Sequence, residues 1–70
     1  MPWPNDRDRA ILGVLSDGRA NPRYLREQTG YDKYQVNSSL VKLEKWGFVS
    51  KLTRGLYEIT DEGRAALESE

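Results

Sequence analysis

The sequence predicts an α+β fold: three helices, a two-stranded β-hairpin and a short closing helix. Three observations carry that expectation. Two capped helical segments are joined by a tight Thr29-Gly30-Tyr31-Asp32 turn. The stretch Leu43-Glu44-Lys45-Trp46-Gly47-Phe48-Val49 then leads into a hairpin centred on Arg54-Gly55. Thr60 followed by Asp61 and Glu62 opens one more helical segment. Helix, tight turn, helix and hairpin, in that order, is the layout of a winged helix-turn-helix, whose second helix after the turn is shaped to enter a major groove.

The elements follow in order. The first helix begins at Asn5, whose side chain can cap the free amides, with Asp6 and Asp8 in the first turn where the macrodipole favours negative charge. Ile11, Leu12, Val14 and Leu15 form its apolar stripe, and Gly18 suits the left-handed residue that ends a helix. Trp3, between two prolines, either folds back as a hydrophobic staple or lies exposed at a dimer contact. Helix two takes Asn21 as cap and Pro22 at its first position, with Tyr24 and Leu25 facing inward and Gly30 as terminator. Gly30 is the pivot, because the corner needs a residue at positive φ without a Cβ. Tyr31 is then the residue wedged between the two helices.

Helix three starts from Asp32, paired with Gln35 in a variant of the capping box, and runs to about Trp46. At about 100° per residue, Val36, Leu40, Leu43 and Gly47 share the stripe that faces the core. Tyr34, Ser38, Lys42 and Lys45 fall on the opposite side, flanked by Gln35 and Asn37. The hairpin strands span 49–52 and 56–60, with Val49, Tyr57 and Ile59 directed to the core and Lys51 and Arg54 near the tip. Thr60 caps a last helix over 61–68, with Ala65, Ala66 and Leu67 available for packing.

Composition bounds the chemistry. Seventy residues make a single domain, 1–70, of a size that buries only about 60% of the unfolded chain's surface. The absence of cysteine and histidine removes the disulfide framework, the thiolate nucleophile and the usual metal and general-base groups, so neither a cofactor nor a metal is expected. No phosphate-cradling glycine loop is present either, and the chain does not read as an enzyme. No apolar run approaches the roughly 20 residues that span a bilayer, nor does the N-terminus carry a signal core, so a cytoplasmic protein with no membrane partner is expected.

The formal net charge of zero hides a polarised chain. Residues 1–20 are balanced. Residues 21–55 carry a surplus of four positive charges from Arg23, Arg26, Lys33, Lys42, Lys45, Lys51 and Arg54, and residues 56–70 carry a deficit of four. A basic segment is the footprint of a phosphate-binding surface, whereas an acidic end turns away from DNA. On helix three, Gln35 and Asn37 can make paired bonds to adenine, Lys33 and Lys42 can reach guanine edges or phosphates, and Tyr34 and Ser38 can bind backbone oxygens. No acid occupies its outer face between Asp32 and Glu44. At the hairpin tip, Lys51 and Arg54 suit a sugar-phosphate backbone or a minor groove.

Residues 43–49, followed by Arg54-Gly55-Leu56-Tyr57-Glu58-Ile59-Thr60-Asp61-Glu62-Gly63-Arg64-Ala65-Ala66-Leu67, resemble the recognition helix, wing and closing helix of compact archaeal winged-helix regulators. They are also similar to the corresponding part of multiple-antibiotic-resistance-type (MarR-type) repressors. The Arg19-Ala20-Asn21-Pro22-Arg23-Tyr24-Leu25 entry to helix two resembles small haloarchaeal proteins related to the halophage phi-H repressor. The resemblance implies sequence-specific binding of double-stranded DNA by a homodimer, with the recognition helix 32–46 in the major groove and the wing 49–60 alongside. Carried over position by position, base reading falls on Lys33, Tyr34, Gln35, Asn37 and Ser38, and backbone contacts on Asn21, Arg23, Lys42, Thr53 and Arg54. The small core, and the apolar residues left over on the first and closing helices, also point to dimerisation.

One other class uses the same scaffold. A winged-helix module can bind protein without specific DNA binding, and an exposed Trp3 and Trp46 would favour that use.

Overall fold

A computed structural model describes residues 4–68. Trp3, and with it the staple or dimer contact, lies outside the described residues. The elements are α1 (Asp6–Ser16), α2 (Pro22–Thr29), α3 (Lys33–Lys45), β1 (Val49–Thr53), β2 (Leu56–Ile59) and α4 (Asp61–Glu68).

Side-chain caps fix where the helices begin. Asn5 accepts from the Asp8 backbone N–H at 2.8 Å while Asp8 accepts from the Asn5 N–H at 3.2 Å, a reciprocal capping box. Asn21 accepts from the Tyr24 N–H at 2.7 Å at the start of α2. Asp32 and Gln35 form a second box, at 2.8 and 3.0 Å, at the start of α3. Between these, Gly30 takes φ +81° and its N–H donates to the Arg26 carbonyl, turning the chain from α2 into α3.

The end of α3 differs from the expected pattern. Gly47 is exposed at φ +83°, beyond the helix, rather than on the core stripe. Its N–H donates to the Glu44 carbonyl and the Phe48 N–H donates to the Leu43 carbonyl, which is a Schellman ending with the apolar Phe48 folded back onto the core. The stripe that is buried consists of Val36, Ser39, Leu40 and Leu43. Trp46, at the cap, packs half-buried against this core and meets Phe48 edge to face at 5.9 Å.

Strands β1 and β2 pair antiparallel, Val49 with Ile59 and Lys51 with Tyr57, with a bulge between Lys51 and Thr53 and Gly55 at φ +76° in the turn. The hairpin is not free-standing. Ala20 and Tyr57 exchange backbone hydrogen bonds at 3.0 and 2.9 Å, so the turn between α1 and α2 adds a short third rung to the sheet.

Thr60 joins the hairpin to α4. Its hydroxyl donates to the Gly47 carbonyl at 2.6 Å and accepts from the Gly63 N–H at 3.0 Å. Gly63 is buried so closely on the Phe48 carbonyl that no side chain fits there. Ala66 is buried and Leu67 packs on the core, but Ala65 is exposed rather than packed.

One core holds the molecule together, with Ile11, Leu12, Leu15, Leu25, Val36, Leu40 and Leu43 at its centre. Val14 and Leu67 pack against it, so α1 and α4 leave no large apolar side chain exposed among the described residues. The surplus apolar residues expected on those helices for dimerisation are taken up by the core. The arrangement is a winged helix-turn-helix.

Candidate nucleic-acid interface

Helix α3 presents two faces because its apolar stripe is fixed against α1 and α2. Tyr34 is 85% exposed, and Lys33, Asn37, Ser38, Val41 and Lys45 are also exposed. Tyr34, Ser38, Val41 and Lys45 follow a four-three-four spacing that places them in one row along the helix. Gln35 is half-buried at the edge of that row, and its side-chain oxygen is engaged by the Asp32 N–H in the capping box. Sequence reasoning passed over Val41. Its offset from Tyr34 by two turns is the signal that would have found it.

Lys42 departs from the outer face where the sequence placed it. Its ammonium lies 2.8 Å from Oδ2 of Asp8, whose side chain is fully buried, and 5.2 Å from the centre of the Trp46 ring. On the helical wheel Lys42 stands between Ser38 and Ser39, on the flank that meets α1. From there a four-carbon stem reaches a buried carboxylate more favourably than it reaches solvent, because an unpaired buried carboxylate is costly. A second contact on the same seam runs from Arg7 Nε to Ser39 Oγ at 2.8 Å. The two contacts hold the buried flank of α3 on α1.

Tyr24 also departs from its expected inward position. It is 45% exposed and forms one wall of an open groove of about 330 Å³, together with Val14, Asn21 and Leu56. Leu25, its neighbour, carries the burial of α2 alone.

The remaining candidates sit on the corner and the hairpin. Asn21 is exposed, but its side-chain oxygen is committed to capping α2. Arg23 is exposed and makes a loose i,i+4 pair with Glu27 at 3.8 Å, which leaves it available to a stronger anion. Thr53 and Arg54 are exposed at the hairpin tip. Among the described residues, Lys33, Lys45, Lys51 and Arg54 have no ion-pair partner. Lys42 is thus removed from the set of free cations, while Lys45 and Lys51 join it.

Among the described residues no group of three or more acidic, histidine or cysteine side chains can hold a metal ion, and no helix is long and apolar enough to cross a membrane.

Solved structures share this architecture. BpsR of Bordetella bronchiseptica, whose DNA binding is regulated by 6-hydroxynicotinic acid, superposes with a TM-score of 0.87 at 22% identity, over 93% of this chain and 50% of that one. Ligand-free NadR gives 0.81 at 25% identity over 91% and 49%, and IdeR of T. acidophilum gives 0.70 at 21% over 94% and 33%. The chain therefore spans half or less of the length of these neighbours. No family model matches the sequence, and no curated protein matches it. At these identities the likeness is one of fold.

Proposed function

We propose that this chain is a sequence-specific, double-stranded DNA-binding transcriptional regulator that places α3 in the major groove and the β1–β2 wing on the backbone or in the minor groove. The supporting observation is the exposed face of α3: hydroxyl and amide groups of Tyr34, Asn37 and Ser38 lie between Lys33 and Lys45, two cations with no ion-pair partner among the described residues. Groups of this kind read base edges and phosphates, and free cations at both ends suit a polyanion. Lys33, Tyr34, Gln35, Asn37 and Ser38 read bases. Arg23, Thr53, Arg54, Lys45 and Lys51 meet the backbone, Asn21 presents the start of α2, and Lys42 supports α3 from behind. The DNA binding of the fold neighbour BpsR agrees with this use of the scaffold.

The regulator acts in the cytoplasm as a repressor, by occupying its operator, in the manner of the archaeal phi-H-like proteins that the stretch from Arg19 to Leu25 resembles. It works as a homodimer with recognition helices about 34 Å apart on a near-palindromic site. The small core supports this reading. Sedimentation showing only monomer at micromolar concentration, with and without the operator duplex, would contradict it.

Selection from a random duplex library, followed by affinity for the winner and for scrambled DNA across a salt series, tests the proposal. A single winning motif and a slope of log K against log salt of about −4 per protomer are expected if Arg23, Lys45, Lys51 and Arg54 each meet a phosphate. A steep slope with no winning motif would mean association through charge alone.

A further inference from the structure

Val41 is 67% exposed, and among the described residues only Tyr24 and Tyr34 join it as large exposed apolar side chains. Nothing in the fold calls for valine there. A β-branched residue at an exposed helix position has lower helix propensity than alanine, lysine or glutamate, and Val41 contributes no side chain to the core. It stands in the middle of the exposed row, one turn beyond Asn37 and Ser38 and one turn before Lys45. Lys33, beside the start of that row, and Lys45, at its end, have no ion-pair partner among the described residues, and a duplex complements that charge where a protein surface need not.

We infer that Val41 is a specificity-determining residue that packs against the C5-methyl group of a thymine in the major groove. This rests on the DNA-binding reading above and names one of the bases read. Thymine is the base that offers an apolar group at the major-groove edge, and a short aliphatic side chain is its natural complement. Val41 lies seven residues beyond Tyr34, about 10 Å along the helix axis. The thymine therefore stands apart from the bases met by the first turn of α3, where Lys33 and Tyr34 lie.

The test uses the winning duplex with each thymine replaced in turn by deoxyuridine, which removes the methyl group and leaves the pairing intact. Wild-type protein should lose about fourfold in affinity at one position per half-site, the loss of one buried methyl contact. Val41→Ala should bind the thymine and deoxyuridine forms of that position equally and keep any penalty elsewhere. The substitution is at an exposed helical position, so the thermal transition should stay close to that of the wild type. Equal binding of all deoxyuridine forms by wild type, with scrambled DNA still rejected, would overturn the Val41 assignment and leave the DNA-binding reading standing. A penalty that persists undiminished in Val41→Ala would also overturn the assignment. A library with no winning sequence would overturn both.

Discussion

The Lys42 ammonium sits 2.8 Å from the buried Asp8 carboxylate, a pairing that joins α3 to α1 across the core edge. The same Asp8 oxygen accepts from the Asn5 N–H, so one carboxylate both caps α1 and anchors α3. Lys42→Met would leave that carboxylate buried and unpaired. A loss of about 3 kcal/mol is expected in urea unfolding, while the salt dependence of DNA binding by the folded fraction stays as in wild type. The double variant Asp8→Leu with Lys42→Met should recover most of the loss, because the pair contributes through its mutual neutralisation. A lowered salt slope in Lys42→Met would return this lysine to the phosphate contacts.

Two glycines in helices should respond oppositely to alanine. At Gly63 a Cβ would overlap the Phe48 carbonyl oxygen and lie 2.8 Å from Ile59 Cγ1, so α4 must shift off the hairpin. Gly63→Ala should destabilise by about 2 kcal/mol. At Gly13, inside α1, a Cβ meets nothing within 4 Å, and Gly13→Ala should stabilise by about 0.7 kcal/mol. Thermal melts of the two variants, displaced in opposite directions, check both statements.

Arg54 is exposed at the wing tip and has no ion-pair partner among the described residues. Arg54→Ala should weaken binding to the selected site and to scrambled duplex by the same factor and reduce the salt slope by about one. A loss confined to the selected site would make Arg54 a base reader instead.

Asn21 has two possible duties, one at the helix and one at the DNA, and a pair of substitutions separates them. Asn21→Ala should cost about 1 kcal/mol of stability by removing the acceptor for the Tyr24 N–H, whereas Asn21→Ser should keep the cap. If both variants bind DNA as wild type does once stability is allowed for, the side chain serves only the helix.

Much of the fold was legible because it is written in local chemistry. Asn5, Asn21 and Asp32 each sit one residue before a helix and bond three residues forward, and Gly30 and Gly55 occupy the positive-φ positions their turns require. What stayed hidden depends on groups distant in sequence. Asp8 reads as a first-turn acid and is one, but its burial against Lys42 follows only from how α1 crosses α3. Lys42 lies on the polar half of the wheel, and periodicity says nothing of how far a long stem can bend toward a partner. The Ala20–Tyr57 bridge and the Gly63–Phe48 contact are likewise products of packing. Gly47 was misplaced for a different reason. An apolar period continued one residue too far hid a Schellman ending that the Trp46-Gly47-Phe48 sequence itself carries.

On the candidate site the division is similar. The outer row of Tyr34, Ser38 and Lys45 follows from helical spacing once the core stripe is known. Val41 belongs to that row by the same spacing, but an apolar residue offers no hydrogen-bonding group or charge by which a search for DNA-contacting side chains would single it out. Gln35 and Asn21 serve their helix starts with the same oxygen atoms that a base or a phosphate-bound water would need, a conflict that residue type alone does not reveal.

Base reading by α3 meets its most direct test at Asn37, which is exposed on the helix surface and anchors neither the core nor a cap. The measurement is the affinity of wild type and Asn37→Ala for every single-base-pair variant of the selected duplex. Discrimination should fall by about 1–3 kcal/mol at one or two adjacent base pairs and stay unchanged at the others. An equal loss of affinity at every position, with the sequence preference intact, would show that the exposed face of α3 does not read DNA.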